Sequence, residues 1–529
     1  MSDLARRRFL AGAAATTAMA GAPAVHAKKA GSTLRFVPHA DLRSLDPIAM
    51  AAYVTRNHGY MIYDTLFGTD EKLQIRPQMV GRFSTEDRGL KWSFTLRDGL
   101  KWHDGTRVTA EDAVESLRRW GRRDPLGKLL FAHAAKIAPV DAKTFALELG
   151  QPFGLVLEAL GKPSSHVPFI MPARVAAAPD GEPINETIGS GPFRFVRDEW
   201  QPGHRVVYVR NREYVPRKEA PSGSTGGKHV RVDRVIWRHV PDQARAVAAL
   251  EAGEIDWLES PSMDIAARLE ASRAITVAIQ DPHGTQGWIR PNHLHPPFDN
   301  KKARQALLHL VDQQKYLQAA VGRPKYYRTC PAIFTCGGPW ESGAGAEALA
   351  KPDLARARRL VKASGYDGRP VVVLDPTDYP IAHGAALVTR ELMTEAGFTV
   401  DLQAMDWSAV AARRARKEPP GQGGWNVLFT WWIAADIVNP AVHVGISGAG
   451  GGAWFGWPDH GRMEALRLQW ARTMDRERQR ALADEIQRLA LDEVMYVPFG
   501  QWMSPTAYRR AVKGVLQFPA PLFWGVSVA

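Results

Sequence analysis

The segment from Val371 to Trp432 alternates strand-like and helix-like patterns, and this alternation restricts the fold more than any other feature of the sequence. Three apolar strand-like runs alternate with two helical stretches, at Val371–Leu374, Leu387–Ala396, Phe398–Leu402, Ser408–Arg416 and Val427–Trp432. Parallel strands need such crossovers, because a short turn cannot return the chain to the same end of a sheet. The segment predicts a βαβαβ unit in a mixed α/β fold.

The residues after the last of these strands are the first candidates for a binding site. Open parallel sheets bind ligands outside the carboxyl ends of their strands. Here Asp436 follows Trp431 and Trp432, and a carboxylate beside two large aromatic rings suits a cationic group on a mostly apolar ligand. An alternative interpretation stays open, in which Asp436 caps the following turn and both indoles pack in the core.

The N-terminus has the pattern of an export signal. A basic start at Arg6–Arg8 precedes an apolar, small-residue stretch from Phe9 to Val25, and Val25-His26-Ala27 is an acceptable cleavage site. The paired arginines followed by Phe9 and Leu10 fit the twin-arginine signal, although Ala5 stands where Ser or Thr is usual. We therefore predict a twin-arginine signal peptide over residues 1–27, with an ordinary Sec signal as the alternative.

Cleavage at this site leaves roughly 500 of the 529 residues, which is enough for two or three domains. The net charge is +13, but the 68 Lys and Arg residues are scattered among 55 acidic residues and form no long cationic block. We therefore expect no nucleic-acid partner. Beyond the signal, no apolar run reaches the about 18 residues that a membrane-spanning helix needs.

The two cysteines, Cys330 and Cys336, lie six residues apart in a loop-like stretch. Export would place them in an oxidising compartment, where a local disulfide is expected. Two buried free thiols are the alternative, since spacing alone does not establish disulfide geometry.

The first half of the chain predicts a β-rich unit that carries a helix. Trp92–Leu96 alternates apolar and polar residues, and Thr109 with Asp112 forms a capping box at a helix start. The segment from Pro216 to Lys228 is rich in Gly, Ser and charge, which predicts a surface loop.

Several of these stretches together resemble family 5 of the extracellular solute-binding proteins, which are receptors of ABC importers for peptides, glutathione and nickel. The resemblance rests on Tyr63-Asp-Thr-Leu66, Trp92-Ser-Phe-Thr-Leu-Arg-Asp-Gly99, Lys101-Trp-His-Asp-Gly-Thr106 and Thr109-Ala-Glu-Asp-Ala113. Gly189-Ser-Gly-Pro-Phe193, Ala248–Asp256 and Pro297-Phe-Asp-Asn300 follow in the family order. It extends over nearly the whole mature chain.

The resemblance implies a two-lobed periplasmic-binding-protein fold of type II, with an inserted subdomain and a ligand cleft between the lobes. The first lobe would comprise residues 28–59, 187–281 and 495–529. Residues 60–186 would form the inserted β-rich subdomain, and residues 282–494 the second lobe.

The resemblance also implies the binding residues. Asp436 would pair with the amino terminus of a peptide or peptide-like solute, beside Trp431 and Trp432. The backbone of Trp432, Ile433 and Ala434 and the early loop His39, Ala40 and Asp41 would pair with the ligand main chain. The implied protein is a periplasmic monomer that needs no cofactor, closes its lobes on a ligand, and delivers that ligand to a membrane permease and its ATPase.

The chain departs from the family pattern in this loop, which leaves the ligand open. There is an extra residue after Trp432, and no acidic residue precedes Pro440. A metal chelate, an opine or a sugar on the same fold remains an alternative to a peptide.

Other classes of protein find less support in the sequence. An enzyme is not expected, because the Gly-x-Ser-x-Gly, P-loop and His-Glu-x-x-His motifs are all missing. Gly448-x-Gly450-x-x-Ala453 imitates a dinucleotide fingerprint but follows no convincing strand. The neighbouring His283, His293 and His295 could bind a metal only if the fold brought them together, and we predict no metal site. A secreted chaperone-like or structural protein is the remaining alternative.

Overall fold

The computed structural model describes residues 32–179, 182 and 184–529. The predicted signal peptide, including Arg6, Arg7 and the cleavage site after Ala27, lies outside the described residues. Within the described part of the chain, none of the helices combines the length and hydrophobicity that crossing a bilayer requires.

The first lobe is built on a seven-stranded mixed sheet. Its strands, in spatial order, are Phe193–Phe195, Arg205–Arg210, Arg234–Arg238, Thr33–Val37, Trp257–Leu258, Pro505–Arg509 and Ile275–Ile279. The central strand Thr33–Val37 runs parallel to both of its neighbours, so three strands end at the same edge of the sheet. Three helices accompany this sheet, namely Tyr53–Ile62, Gln243–Ala252 and Met263–Leu269.

The second lobe is built on a six-stranded mixed sheet. Its strands, in spatial order, are Tyr327–Arg328, Val497–Trp502, Thr285–Pro291, Val427–Ile433, Val371–Pro376 and Val400–Met405. Its helices are Lys301–Leu310, Gln313–Ala320, Glu347–Ala350, Leu354–Ala363, Pro380–Ala396, Trp407–Arg413, Gly461–Arg472 and Arg476–Glu493.

The predicted βαβαβ unit is confirmed. Val371–Pro376 pairs in parallel with Val400–Met405 and with Val427–Ile433. The connecting helix begins at Pro380, earlier than predicted, because proline is well suited to the first turn of a helix. It ends at Ala396, where Gly397 takes a φ of 102° and closes the helix in the left-handed conformation.

The inserted unit carries a four-stranded antiparallel sheet of Val80–Glu86, Lys91–Leu96, Thr144–Leu149 and Ala134–Pro139. Its helices are Ala110–Arg123, Pro125–His133, Val156–Leu160 and Ala173–Ala176. The predicted capping box is confirmed, since the Thr109 and Asp112 side chains each bond the backbone N–H of the other residue. There are three further two-stranded antiparallel pairs, Asp64–Thr65 with Phe169–Ile170, Phe67–Thr69 with Ile75–Pro77, and Val512–Lys513 with Ser527–Val528.

The chain crosses between the two large sheets at residues 280–284 and 503–504. The predicted start of the C-terminal first-lobe segment at residue 495 is wrong, because Val497–Trp502 pairs with Thr285–Pro291 in the second sheet. The two crossovers lie against each other. A Cβ added at Gly284, whose φ is 63°, would stand 2.2 Å from the carbonyl oxygen of Trp502.

Cys330 and Cys336 form a disulfide in the second lobe, with their Cα atoms 5.8 Å apart. The loop that they close is tied to the first crossover. The Arg328 Nη2 donates to the carbonyl oxygens of Cys336, at 2.6 Å, and Pro282, at 3.1 Å.

The segment predicted as a surface loop is only partly exposed, because Gly223–Lys228 is buried. The Lys228 Nζ lies 2.8 Å from Oδ1 of Asp64, and both side chains are fully buried. Tyr214 donates to the other carboxylate oxygen at 2.8 Å. Burial by itself would raise the pKa of Asp64, but the charges of Lys228 and Arg97 and the hydrogen bonds from Lys228 and Tyr214 together outweigh it and lower that pKa. The ion pair draws the loop inward.

We predict that Lys228→Met will lower the free energy of unfolding by about 3–5 kcal/mol, because it leaves the Asp64 carboxylate buried without its partner. Urea denaturation would measure the change. Lys218→Met, at an exposed lysine of the same segment, is the matched control and should be nearly neutral. Asp64→Asn added to Lys228→Met should recover part of the loss, and equal effects of the two lysine variants would contradict the prediction.

Candidate functional site

The candidate site lies where carboxyl ends of strands from both lobes meet. His39 follows the strand Thr33–Val37 and Glu259 follows Trp257–Leu258, at one edge of the first sheet. Asp436 follows Val427–Ile433 in the second lobe, within the short 3-10 helix Ala434–Asp436. These positions are the ones at which α/β sheets bind ligands.

Asp436 is only 7% exposed, and its two carboxylate oxygens differ. Tyr53, at the start of the first-lobe helix Tyr53–Ile62, donates its hydroxyl to Oδ2 at 2.6 Å. Oδ1 is buried and accepts no hydrogen bond from any described residue. The following turn is instead capped by Asn439, whose Oδ1 accepts from the N–H groups of Ala441 and Val442. Asp436 therefore has one free acceptor.

Tyr53 is a hydrogen-bond donor in this site. Burial, together with the charge of Asp436, raises the pKa of its phenol well above the ordinary value, so the proton stays on Tyr53. The Arg56 guanidinium lies over the Tyr53 ring, 4.7 Å from its centroid. Because Tyr53 and Asp436 belong to different lobes, their hydrogen bond crosses the cleft.

The two candidate tryptophans lie in aromatic clusters. Trp431 stacks on Tyr379 with ring centroids 3.8 Å apart and contacts Trp407 at 4.6 Å. Trp432 packs on Trp288 at 6.0 Å, and its buried Nε1 has no hydrogen-bond acceptor among the described residues. Both indoles are half-buried, so the structure gives them substantial packing roles.

The strand Val427–Ile433 is only partly paired along one of its two edges. Thr285–Pro291 pairs with the whole of Val427–Ile433 on one side. On the other side the ladder with Val371–Pro376 contains only the pair Val373 and Val427 among the described residues. The edge at Trp431–Ile433 is thus unpaired there, whereas the Ala434 N–H already donates to the carbonyl of Gly284 at 2.8 Å.

The early loop is held by its own lobe. Glu259 Oε2 accepts from the His39 backbone N–H at 2.7 Å and lies 2.8 Å from its ring Nδ1, and Glu259 Oε1 accepts from Asn57 at 3.1 Å. Ala40 is half-buried, and Asp41 Oδ1 accepts from the Gly203 N–H at 3.0 Å. The His39 N–H is therefore already paired within the protein.

A cavity of about 490 Å³ lies between the inserted subdomain and the second lobe. Ala435, Val438 and Asn439, which flank Asp436 in the chain, form part of its wall. None of the eight predicted binding residues lines it. The structure thus brings the Asp436 loop to a cavity that the sequence did not predict.

The fold gives no support to the metal and dinucleotide alternatives. In the residues that the structure describes, no group of three or more His, Cys, Asp or Glu side chains could hold a metal ion. His283 and His295 instead lie near the carbonyl oxygens of Glu71 and Lys417. The Gly448–Ala453 segment follows the 3-10 helix Val444–Ile446, not the strand that a dinucleotide fingerprint requires.

Two lobes joined by crossover strands, with strand ends facing a cleft, define the class of two-lobed solute-binding proteins. Residues 74–452 match the model of the bacterial extracellular solute-binding proteins, family 5. A probable peptide ABC transporter periplasmic-binding protein of Sinorhizobium fredii is 37% identical over 99% of both chains. This protein therefore belongs to family 5, and the predicted fold and family are confirmed.

Solved structures agree on the fold. The ABC transporter substrate-binding protein CtaP of Listeria monocytogenes superposes with a TM-score of 0.80 at 21% identity, covering 94% of this chain and 99% of its own. The protein AgaA of A. tumefaciens, solved with agropinic acid, gives 0.75 at 21% identity, with coverage of 94% and 99%.

The pair formed by His39 and Glu259 predicts a pH-dependent stability. Burial disfavours both charges, but their attraction outweighs it, so the pKa of His39 is raised and the pKa of Glu259 is lowered. The His39 contribution is complete below its unfolded pKa and is lost as the pH rises through its raised folded pKa. The Glu259 contribution is complete above its unfolded pKa and is lost as the pH falls through its lowered folded pKa.

His39→Gln should therefore cost most between about pH 4.3 and 6.5, where roughly 1.5–3 kcal/mol is expected for a hydrogen bond between charged groups. Denaturation of the wild type and the variant across pH 4–9 would measure the gap. His204→Gln, at an exposed histidine of the same lobe, is the control. If the difference in unfolding free energy between the wild type and His39→Gln stayed constant up to pH 9, His39 and Glu259 would not form a charged pair.

Proposed function

We propose that this protein is the extracytoplasmic receptor of an ABC importer, and that it captures a peptide or peptide-like solute carrying a primary amine. The observation that carries the proposal is the free Oδ1 of Asp436, a buried acceptor at a strand end in the cleft. A buried carboxylate oxygen without a partner is costly, and an ammonium group supplies both the charge and the donors that it lacks.

The surrounding groups suit a ligand with a peptide backbone. Tyr53 holds one oxygen of Asp436 and thereby orients the other. The unpaired edge at Trp431–Ile433 can add a short extended segment, which recognises main chain and tolerates varied side chains. Ala40 and Asp41 would meet the ligand from the first lobe. Contacts with both lobes would favour the closed state by bending the crossovers.

The Sinorhizobium fredii relative is a probable peptide ABC transporter periplasmic-binding protein, and its similarity extends over 99% of this chain. This similarity favours a peptide over an opine as the ligand. AgaA, solved with agropinic acid, shares only 21% of its residues with this protein. Such a likeness carries the fold and does not select the ligand.

The same proposal includes the partners and the location. The receptor would work in the periplasm as a monomer, without a cofactor or a catalytic step, and would deliver its ligand to a membrane permease driven by an ATPase. Export would use the signal in residues 1–27 and leave a mature chain starting near Lys28.

We predict that Asp436→Asn will weaken binding of an amine-bearing peptide by about 2–5 kcal/mol, the usual cost of losing one partner of a buried charge pair. Calorimetry on a peptide library would measure the affinity, and thermal melting of the same variant would measure folding, which should change little.

Asp264→Asn, at an exposed carboxylate of the first lobe, is the matched control and should bind as the wild type does. An N-acetylated copy of the same peptide should lose affinity for the wild type, and Asp436→Asn should lower its affinity little further. If Asp436→Asn lowered only the melting temperature and left the dissociation constant unchanged, Asp436 would be a structural residue and the amine assignment would fail.

We also predict that replacing Arg6 and Arg7 together by Lys will block export, because the twin-arginine receptor requires the pair. Fractionation would follow the mature form in the periplasm, and mass spectrometry would locate its N-terminus near Lys28. Continued export of the double variant in a strain lacking the twin-arginine translocase would favour the Sec route.

A further inference from the structure

The cavity of about 490 Å³ beside the Asp436 loop has walls from two separate parts of the protein. The inserted subdomain supplies one wall and the second lobe the other. A volume of this size is within the range of small-molecule sites. The cavity therefore exists only while the subdomain and the second lobe are close together.

Most of the wall is apolar. Leu73, Ile75 and Leu157 contribute from the subdomain, and Trp340 and Val438 contribute from the second lobe. Leu157 and Val438 are half-buried, so each keeps surface that an apolar group could cover. Burial of such surface is favourable in proportion to the area removed from water.

The charges in the wall are largely compensated within the protein. Lys162 is buried and forms an ion pair with the fully buried Asp124. Arg476 lies 3.7 Å from Glu158, and its guanidinium stacks 3.9 Å from the Trp340 ring centroid. Lys72 is exposed. Because Lys162, Glu158 and Arg476 have partners within the protein, the cavity does not need a charged ligand group to balance them.

The subdomain and the second lobe also contact each other at residues 151–154, close in the chain to Leu157 and Glu158 of the cavity wall. The Gly154 N–H donates to the carbonyl oxygen of Ala471 at 2.8 Å, and Arg472 donates to Gln151 at 2.7 Å. Gly154 is needed for this approach, because a Cβ there would lie 2.1 Å from the carbonyl oxygen of Thr473. These contacts hold together the two parts of the protein that form the cavity.

We infer that this cavity is a separate subsite for an uncharged, apolar side group of the ligand, adjacent to the amine held by Asp436. The inference rests on the proposed function, because it assigns the neighbouring Oδ1 to the ligand amine. The receptor then selects amine-bearing solutes with a bulky apolar group close to the amine, such as peptides whose first residue is large and hydrophobic.

The test compares Phe-Ala-Ala with Gly-Ala-Ala, which share the amine and the backbone and differ in the first side chain. The wild type should bind Phe-Ala-Ala at least about 10-fold more tightly, as expected for filling an apolar pocket. Leu157→Trp fills the cavity and should remove most of that preference, while the affinity for Gly-Ala-Ala stays within about 3-fold. Calorimetry on the purified mature protein would measure all four dissociation constants.

Leu360→Trp, at a half-buried leucine away from the cavity, is the matched control and should keep the preference of the wild type. Val438→Trp fills the cavity from the opposite wall and serves if Leu157→Trp does not fold. Equal binding of the two peptides by the wild type, or an unchanged preference in the cavity variants, would overturn the subsite alone. Failure of the wild type to bind either peptide would instead overturn the proposed peptide function.

Discussion

An antiparallel ribbon of two chain segments runs through both lobes, and the rest of the structure depends on it. Ile275–Ile279 continues through one crossover into Thr285–Pro291, and Val497–Trp502 continues through the other into Pro505–Arg509. The segments pair with each other in both sheets. Because backbone hydrogen bonds fix the register on either side, the two sheets keep a defined relation, and their strand ends can form one site.

The cleft is assembled mainly from groups that satisfy one another within the protein. Glu259 is bonded by His39 and Asn57, and Lys162 is paired with Asp124. Among the buried side-chain atoms of the described residues that have no partner, Oδ1 of Asp436 is the one carboxylate oxygen, and an unbonded charged group is the most costly kind to bury. When the polar groups around a binding site are already paired within the protein, a few polar contacts to the ligand are enough for specific recognition.

The sequence predicted the elements with strong local signals, namely the βαβαβ unit, the capping box at Thr109 and the family. It failed where tertiary contacts decide. The segment ending at Lys228 is polar enough for a surface loop, yet its lysine pairs with Asp64, more than 160 residues away. Tyr53 carries no local signal of its bond to Asp436, which depends on how the lobes meet. Glu259 could have been found, because it directly follows a parallel strand of the first sheet.

The close packing of the two crossovers has a mechanical consequence. The crossovers form one hinge instead of two independent ones, because Gly284 packs against Trp502 and Arg328 connects Pro282 to the disulfide loop. Because the two crossovers are packed together, a change in the angle between the lobes requires both of them to bend at once. The Tyr53–Asp436 bond across the cleft and the Gly154–Ala471 bond at the subdomain are both formed in this structure, so opening the lobes would break both in the same movement. Distant parts of one ligand would be sensed together, without any signal passing through the core.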